Sequence, residues 1–161
     1  YKWLNLRALA NCFTTTSESV TQVSYFTALA TWDPQKVSKH QAYIKALSTQ
    51  NVSTVLGKFK VVSRKCRADC SLTGREKVYQ THEEKETDVN IAIALVEKAF
   101  HNEFDKAVII SGDSDLIPAI KAVKRFDAKK EIVVVIPIGL NSVAIKAAAD
   151  IGMKMKEEHL M

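Results

Sequence analysis

Leu6, Leu9, Ala10 and Phe13 stand at i, i+3, i+4 and i+7, the spacing of one buried helical face, so residues 4–13 are predicted as a helix capped by Asn5. Val20 to Leu29 is rich in β-branched and aromatic residues and predicts a strand. Asp33-Pro34 then supplies an N-cap followed by proline at the first helical position, and Val37, Ile44 and Leu47 carry that helix to about residue 49. A short strand follows over Val52 to Leu56, ending at Gly57. Lys58 to Gln80 is the least regular stretch and is expected to be a strand followed by an exposed loop.

The last third has the clearest pattern. A helix is predicted over residues 86–101, a buried strand over Ala107–Ser111, a helix over 114–126, a second buried strand over Ile132–Pro137 and a short helix over 142–149. Apolar strands that each lead into a helix are the pattern of a parallel sheet covered on both faces. The expectation is therefore an α/β fold, with residues 1–161 as one domain. Trp3, Trp32, Phe26 and Phe100 are expected in packing rather than as stacking platforms for bases.

Composition narrows this only modestly. The 161 residues, 47% hydrophobic and 25% charged, fit one soluble globular domain, and no apolar run approaches the roughly 20 residues that span a bilayer. Three cysteines, an odd number, argue against a disulfide framework and lead us to expect a reducing, cytoplasmic setting. Cys66-x-x-x-Cys70 with His82 downstream is a loose zinc spacing without an evident fourth ligand, so reduced thiols are preferred. A net charge of +5 permits an anionic partner such as nucleic acid.

Chemistry concentrates in two segments. Ala107 to Asp115 is an apolar strand that stops at Ser111-Gly112 and delivers Asp113 and Asp115 into the turn before a helix. In open α/β sheets ligands bind beyond the carboxyl ends of strands, and carboxylates there suit hard cations such as Mg²⁺ or Mn²⁺. The competing explanation is ordinary N-capping, which accounts for one Asp more easily than two. The second segment is Glu83-Glu84-Lys85-Glu86-Thr87-Asp88-Val89-Asn90. Asp88 heads the apolar row Ile91, Ala92, Leu95, and a carboxylate so placed needs a cation, either a metal or Lys85. Glu83, Glu84 and Glu86 are expected to be a solvated charge run at the helix start.

Taken together, Glu84-Lys85-x-x-Asp88-Val89-Asn90, Ser111-Gly112-Asp113-Ser114-Asp115 and the closing Ser142 to Asp150, where Ala149-Asp150 ends a helix, resemble the NYN domain family of PIN-like nucleases. The resemblance implies a three-layer α/β/α fold with a mainly parallel central sheet, and a metal-dependent ribonuclease activity. It implies Asp88, Asp113 and Asp115 as metal-binding and catalytic carboxylates, with Mg²⁺ or Mn²⁺ lowering the pKa of a bound water and offsetting charge on the phosphate.

Lys85, Asn90, Ser111, Lys121, Lys124 and Arg125 are the expected substrate contacts, and the basic run from Lys58 to Arg67 adds a second surface. RNA is the expected partner, no membrane is expected, and apolar helix surface leaves room for a homodimer. Family members begin with a central strand that carries the first carboxylate; here that strand is expected upstream of Tyr1. The alternatives are a non-catalytic RNA- or protein-binding module of the same fold and, more weakly, a phosphotransfer receiver-like domain.

Overall fold

The computed structural model describes residues 3–66 and 77–160. The first half follows its capping residues. Helix α1, Leu6–Asn11, starts where the Asn5 side chain accepts from the amides of Arg7 and Ala8, both at 3.0 Å. Strand β1, Val23–Thr27, leads to α2, Pro34–Ser48, whose first turn is capped by Asp33 accepting from Gln35 and Lys36 at 3.1 Å. Strand β2, Val52–Leu56, returns parallel to β1, from Val23 opposite Val52 to Thr27 opposite Leu56.

Lys58–Lys65 (β3) and Val78–Lys85 (β4) form an antiparallel hairpin in register from Lys58↔Lys85 to Lys65↔Val78. β3 matches the expected strand; β4 replaces the end of the expected loop. Glu83 and Glu84, expected at a solvated helix start, are strand residues, and Glu86 turns the chain into the following helix with φ of 75°. The sequence Gln80-Thr81-His82-Glu83-Glu84 carries no apolar alternation, so nothing local marks it as a strand. Arg67 of the basic run, Cys70 and Arg75 beyond it, and Tyr1 lie outside the described residues.

The remaining elements are α3 (Thr87–Phe100), β5 (Lys106–Ile110), a 3-10 turn (Ser114–Leu116), α4 (Ile117–Phe126), β6 (Glu131–Ile136), α5 (Val143–Ala148) and β7 (Ile151–Lys154). A final 3-10 turn, Glu157–Leu160, follows. Parallel strands in the order β5-β6-β7 make the best-buried sheet. Alternate residues of β6 divide the core: Ile132, Val134 and Ile136 pack with Leu95, Ile120 and Ile145, whereas Val133 and Val135 pack with Leu9 and Phe13. Burial on both faces explains why β6 reads as a continuous apolar run. β7, short and containing Gly152 and Lys154, was not expected from sequence.

Two expectations are corrected. Trp3 and Phe100, expected in core or partly buried packing, are 63% and 65% exposed; Trp3 meets Tyr43 edge-on, and Phe100 lies beside Phe126 and His101, its ring centroid 5.4 Å from each. In place of one central sheet, the described residues form three: β1-β2, β3-β4 and β5-β6-β7. The mixed α/β class and the parallel pairing stand. Among the described residues β1 is paired only with β2 and β5 only with β6, and residues of both strands line one groove of about 760 Å³ with Leu6, Leu9 and Leu95. No helix among the described residues is long and apolar enough to cross a membrane.

Gly57 joins β2 to the hairpin, its amide donating to the Thr27 carbonyl at 2.8 Å. A Cβ there would lie 2.7 Å from the Lys85 carbonyl oxygen and 2.8 Å from Thr87 Oγ1, where β4 passes into α3. Gly57→Ala is therefore expected to push these two crossings apart and cost about 1–3 kcal/mol, read as a lower urea midpoint. An unchanged midpoint would show that the backbone yields there freely.

Candidate functional site

The apolar strand β5 ends at Ile110, and the chain leaves the sheet through Ser111-Gly112-Asp113. Ser111 Oγ accepts from the Asp113 amide at 3.1 Å, and Asp113 Oδ1 accepts from the Asp115 amide at 2.8 Å, which caps the 3-10 turn. Ser111 thus shapes the loop. Asp113 does capping work with one oxygen, and its second has no hydrogen-bond partner among the described residues. Asp115 is exposed on the first turn.

Across from this turn stands the start of α3, which packs against the 3-10 turn and α4. Asp88 sits in its first turn, above Ile91, Ala92 and Leu95, which join the main core. The carboxylate is more open to solvent than the sequence led us to expect. Even so, its pKa is raised, first by the protein packed against it, then by the charges of Asp113, Glu84 and Asp115. Asp88 therefore feels the charges of three other carboxylates, from β4 and the β5–α4 turn. Glu84 is the residue that sequence reasoning missed. It accepts from Thr87 Oγ1 at the strand–helix junction, and only recognition of β4 would have placed it there.

No Lys or Arg forms an ion pair with Asp88, Asp113 or Asp115 among the described residues. Lys85, a candidate cation for Asp88, instead pairs with Glu83 at 3.0 Å. The acids do not close into a ready ligand cage: among the described residues no three His, Cys, Asp or Glu side chains are grouped tightly enough to hold a metal ion. The expected gathering of three aspartates thus appears as electrostatic coupling, not as one coordination point. Such a donor set still fits Mg²⁺, which retains several waters and takes only one or two carboxylates directly.

The other candidates separate. Asn90 is half-buried in α3, two residues beyond Asp88. Lys121 and Arg125 are exposed on α4. Lys124 has all three ammonium protons engaged, by the carbonyls of Ala128 and Lys130, both at 2.9 Å, and by Asp150 at 3.0 Å. That leaves Lys124 no donor for a phosphate, and its role is to tie α4 to the start of β7. Arg125 lies ten residues beyond Asp115, about 15 Å along a helix axis. His82 is stacked on Trp32, with centroids 3.5 Å apart and planes 11° apart, and Cys70 lies outside the described residues.

Asp88 has a pH signature. Its folded-state pKa is raised, so the stabilising effect of its bound proton is present below the unfolded-state value and is lost as pH rises through the folded value. Asp88→Asn removes that repulsion. It is expected to raise the melting temperature of the metal-free protein at pH 7, by about 1–3 °C for a site this exposed. The gain should vanish near pH 3. A lower melting temperature at pH 7 would show that Asp88 is not held against like charges.

Comparison with known proteins agrees with this architecture. The family model described as NYN domain matches residues 1–154. No curated protein matches the chain. Among solved structures, a protein of unknown function from Vibrio parahaemolyticus RIMD 2210633 superposes with a TM-score of 0.63 at 18% identity, covering 98% of this chain and 82% of that one. At that identity the likeness speaks for the fold alone.

Proposed function

The chain belongs to the NYN domain family, and from that premise we propose that it is a divalent-metal-dependent ribonuclease whose centre is Asp88, Asp113 and Asp115. The observation that carries the reading is Asp88, whose proton affinity is raised first by burial and then by carboxylates from separate elements, none of them in an ion pair among the described residues. Clustered like charge is costly unless a cation or a proton offsets it, and such costs concentrate at functional sites.

A bound Mg²⁺ or Mn²⁺ would supply charge neutralisation and an acidified water for phosphodiester hydrolysis. Asp88, Asp113 and Asp115 would hold it, with Glu84 adding to the negative field. Ser111 fixes the loop that presents Asp113. Asn90, two residues beyond Asp88 in α3, would give a hydrogen bond to the substrate or to a metal-bound water. Lys85, bound to Glu83 at an exposed surface, can exchange that partner for a phosphate at little cost. Lys121 and Arg125 would meet nucleotides farther along the strand. An additional carboxylate, which the family resemblance assigns to a central strand, would arrive through the groove between β1 and β5.

Labelled single-stranded RNA incubated with Mn²⁺, and in parallel with EDTA, tests the proposal. Cleavage only with the metal is expected. RNA binding without cleavage at any metal concentration, by a chain extended with such a strand, would favour the non-catalytic module instead.

A further inference from the structure

The β3–β4 register sorts the hairpin into two faces, because residues directly opposite share a side and successive residues alternate. One face holds Phe59, Val61 and His82, and Trp32 fastens it to the body by stacking on His82 and meeting Phe59 edge-on at 4.8 Å. The other face holds Lys58, Lys60, Arg64 and Lys85, all exposed, together with Val62, Thr81, Glu83 and Tyr79. Four cations there stand against one carboxylate, Glu83, which pairs with both Arg64 and Lys85; Glu86 at the hairpin's foot reaches Lys58. Tyr79 lies directly opposite Arg64, is 52% exposed and has no aromatic contact among the described residues.

We propose that this face is a binding platform for single-stranded RNA, with Tyr79 stacking on a base while Lys58, Lys60 and Lys85 take phosphates. The proposal rests on the nuclease reading for its direction. The foot of the platform, Lys85, is three residues from Asp88, so a strand laid along this face ends at the start of α3; Glu84, which is on the opposite face, is outside its track. From Tyr79 to Lys85 spans about 20 Å of extended strand, room for several nucleotides. The exposed ion pairs to Glu83 and Glu86 cost little to exchange for phosphate. Single-stranded rather than duplex RNA is the fitting class, because only an unstacked base offers its face to a tyrosine.

Binding is read by fluorescence anisotropy of a labelled 12-nucleotide RNA in EDTA, so that cleavage plays no part. Tyr79→Ala is expected to weaken single-strand binding about 5- to 100-fold, Tyr79→Phe to leave it near wild type, and a duplex of equal length to respond to neither. Lys60→Ala should weaken binding of all sequences alike and reduce the slope of log affinity against log salt by about 1. Circular dichroism melts confirm that each variant folds. Wild-type affinity in both Tyr79→Ala and Lys60→Ala, or no RNA binding by the wild-type protein at low salt, overturns the platform. If the platform binds as expected while Mn²⁺ produces no cleavage, even by a chain extended with the additional strand, the platform stands and the nuclease reading falls.

Discussion

Asp113→Asn is expected to lower Mn²⁺-dependent RNA cleavage at least about 100-fold, the scale on which perturbed metal sites lose activity, while leaving the fold intact. The two halves of that outcome come from different oxygens. Oδ1 caps the 3-10 turn by accepting from the Asp115 amide, a bond that an asparagine carbonyl can keep. What the substitution removes is the charge, together with the second oxygen that has no protein partner among the described residues. Asp113→Ala would also lose the cap, at about 0.5–2 kcal/mol, so the pair of variants separates the structural duty from the chemical one. The asparagine variant should also relieve Asp88, whose raised proton affinity owes part of its cause to Asp113. Single-turnover cleavage and a urea titration provide the readouts. Wild-type cleavage by Asp113→Asn would remove the carboxylate cluster from the reaction.

Local chemistry made much of the fold legible. Asn5, Asp33-Pro34 and Gly57 each mark a boundary that the structure keeps, because a cap or a forced turn depends only on its neighbours in sequence. β4 was hidden because its partner is β3 and its residues are polar on both faces; a strand held by long-range pairing leaves no periodic trace. The same distinction runs through the site. Asp88, Asp113 and Asp115 were readable as strand-end and helix-start acids, and the structure brings their fields together. Glu84 was not, since its position depends on the unseen strand. Lys124 looked like a phosphate ligand on an exposed helix; its saturation depends on Asp150, 26 residues away, which no spacing rule could pair with it. Asp150 in turn accepts from the Ile132 amide at 2.8 Å and has its pKa lowered, by Lys124 first and then by that amide. The Ala149-Asp150 pair is thus a joint between α4, β6 and β7, away from the catalytic proposal.

The largest stability effect expected lies at the open edges. β1 and β5 each pair on one side only among the described residues, and an apolar groove of about 760 Å³ separates them. Buried main-chain groups need partners, and an open edge invites one. One extended strand of five or six residues, running parallel to both, would join β1-β2 to β5-β6-β7 as a single six-stranded sheet. Followed by α1 and β1, it would form an ordinary strand–helix–strand unit. Burying its side chains would contribute roughly 1.5–3 kcal/mol each, against about 1–2 kcal/mol per residue of ordered backbone. Extending the chain ahead of Tyr1 with such a strand is therefore expected to add a few kcal/mol, a rise of about 5–10 °C in melting temperature for a domain of this size. The discriminating measurement is amide hydrogen exchange. The largest slowing is expected at Val23–Thr27 and Lys106–Ile110, whose backbone gains partners, with a smaller slowing of the core amides that exchange through global unfolding. Unchanged exchange at both strands would mean that the groove does not accept a strand. If the strand ends in aspartate, that carboxylate arrives at the same end of the sheet as Asp113, and cleavage should rise with the protection.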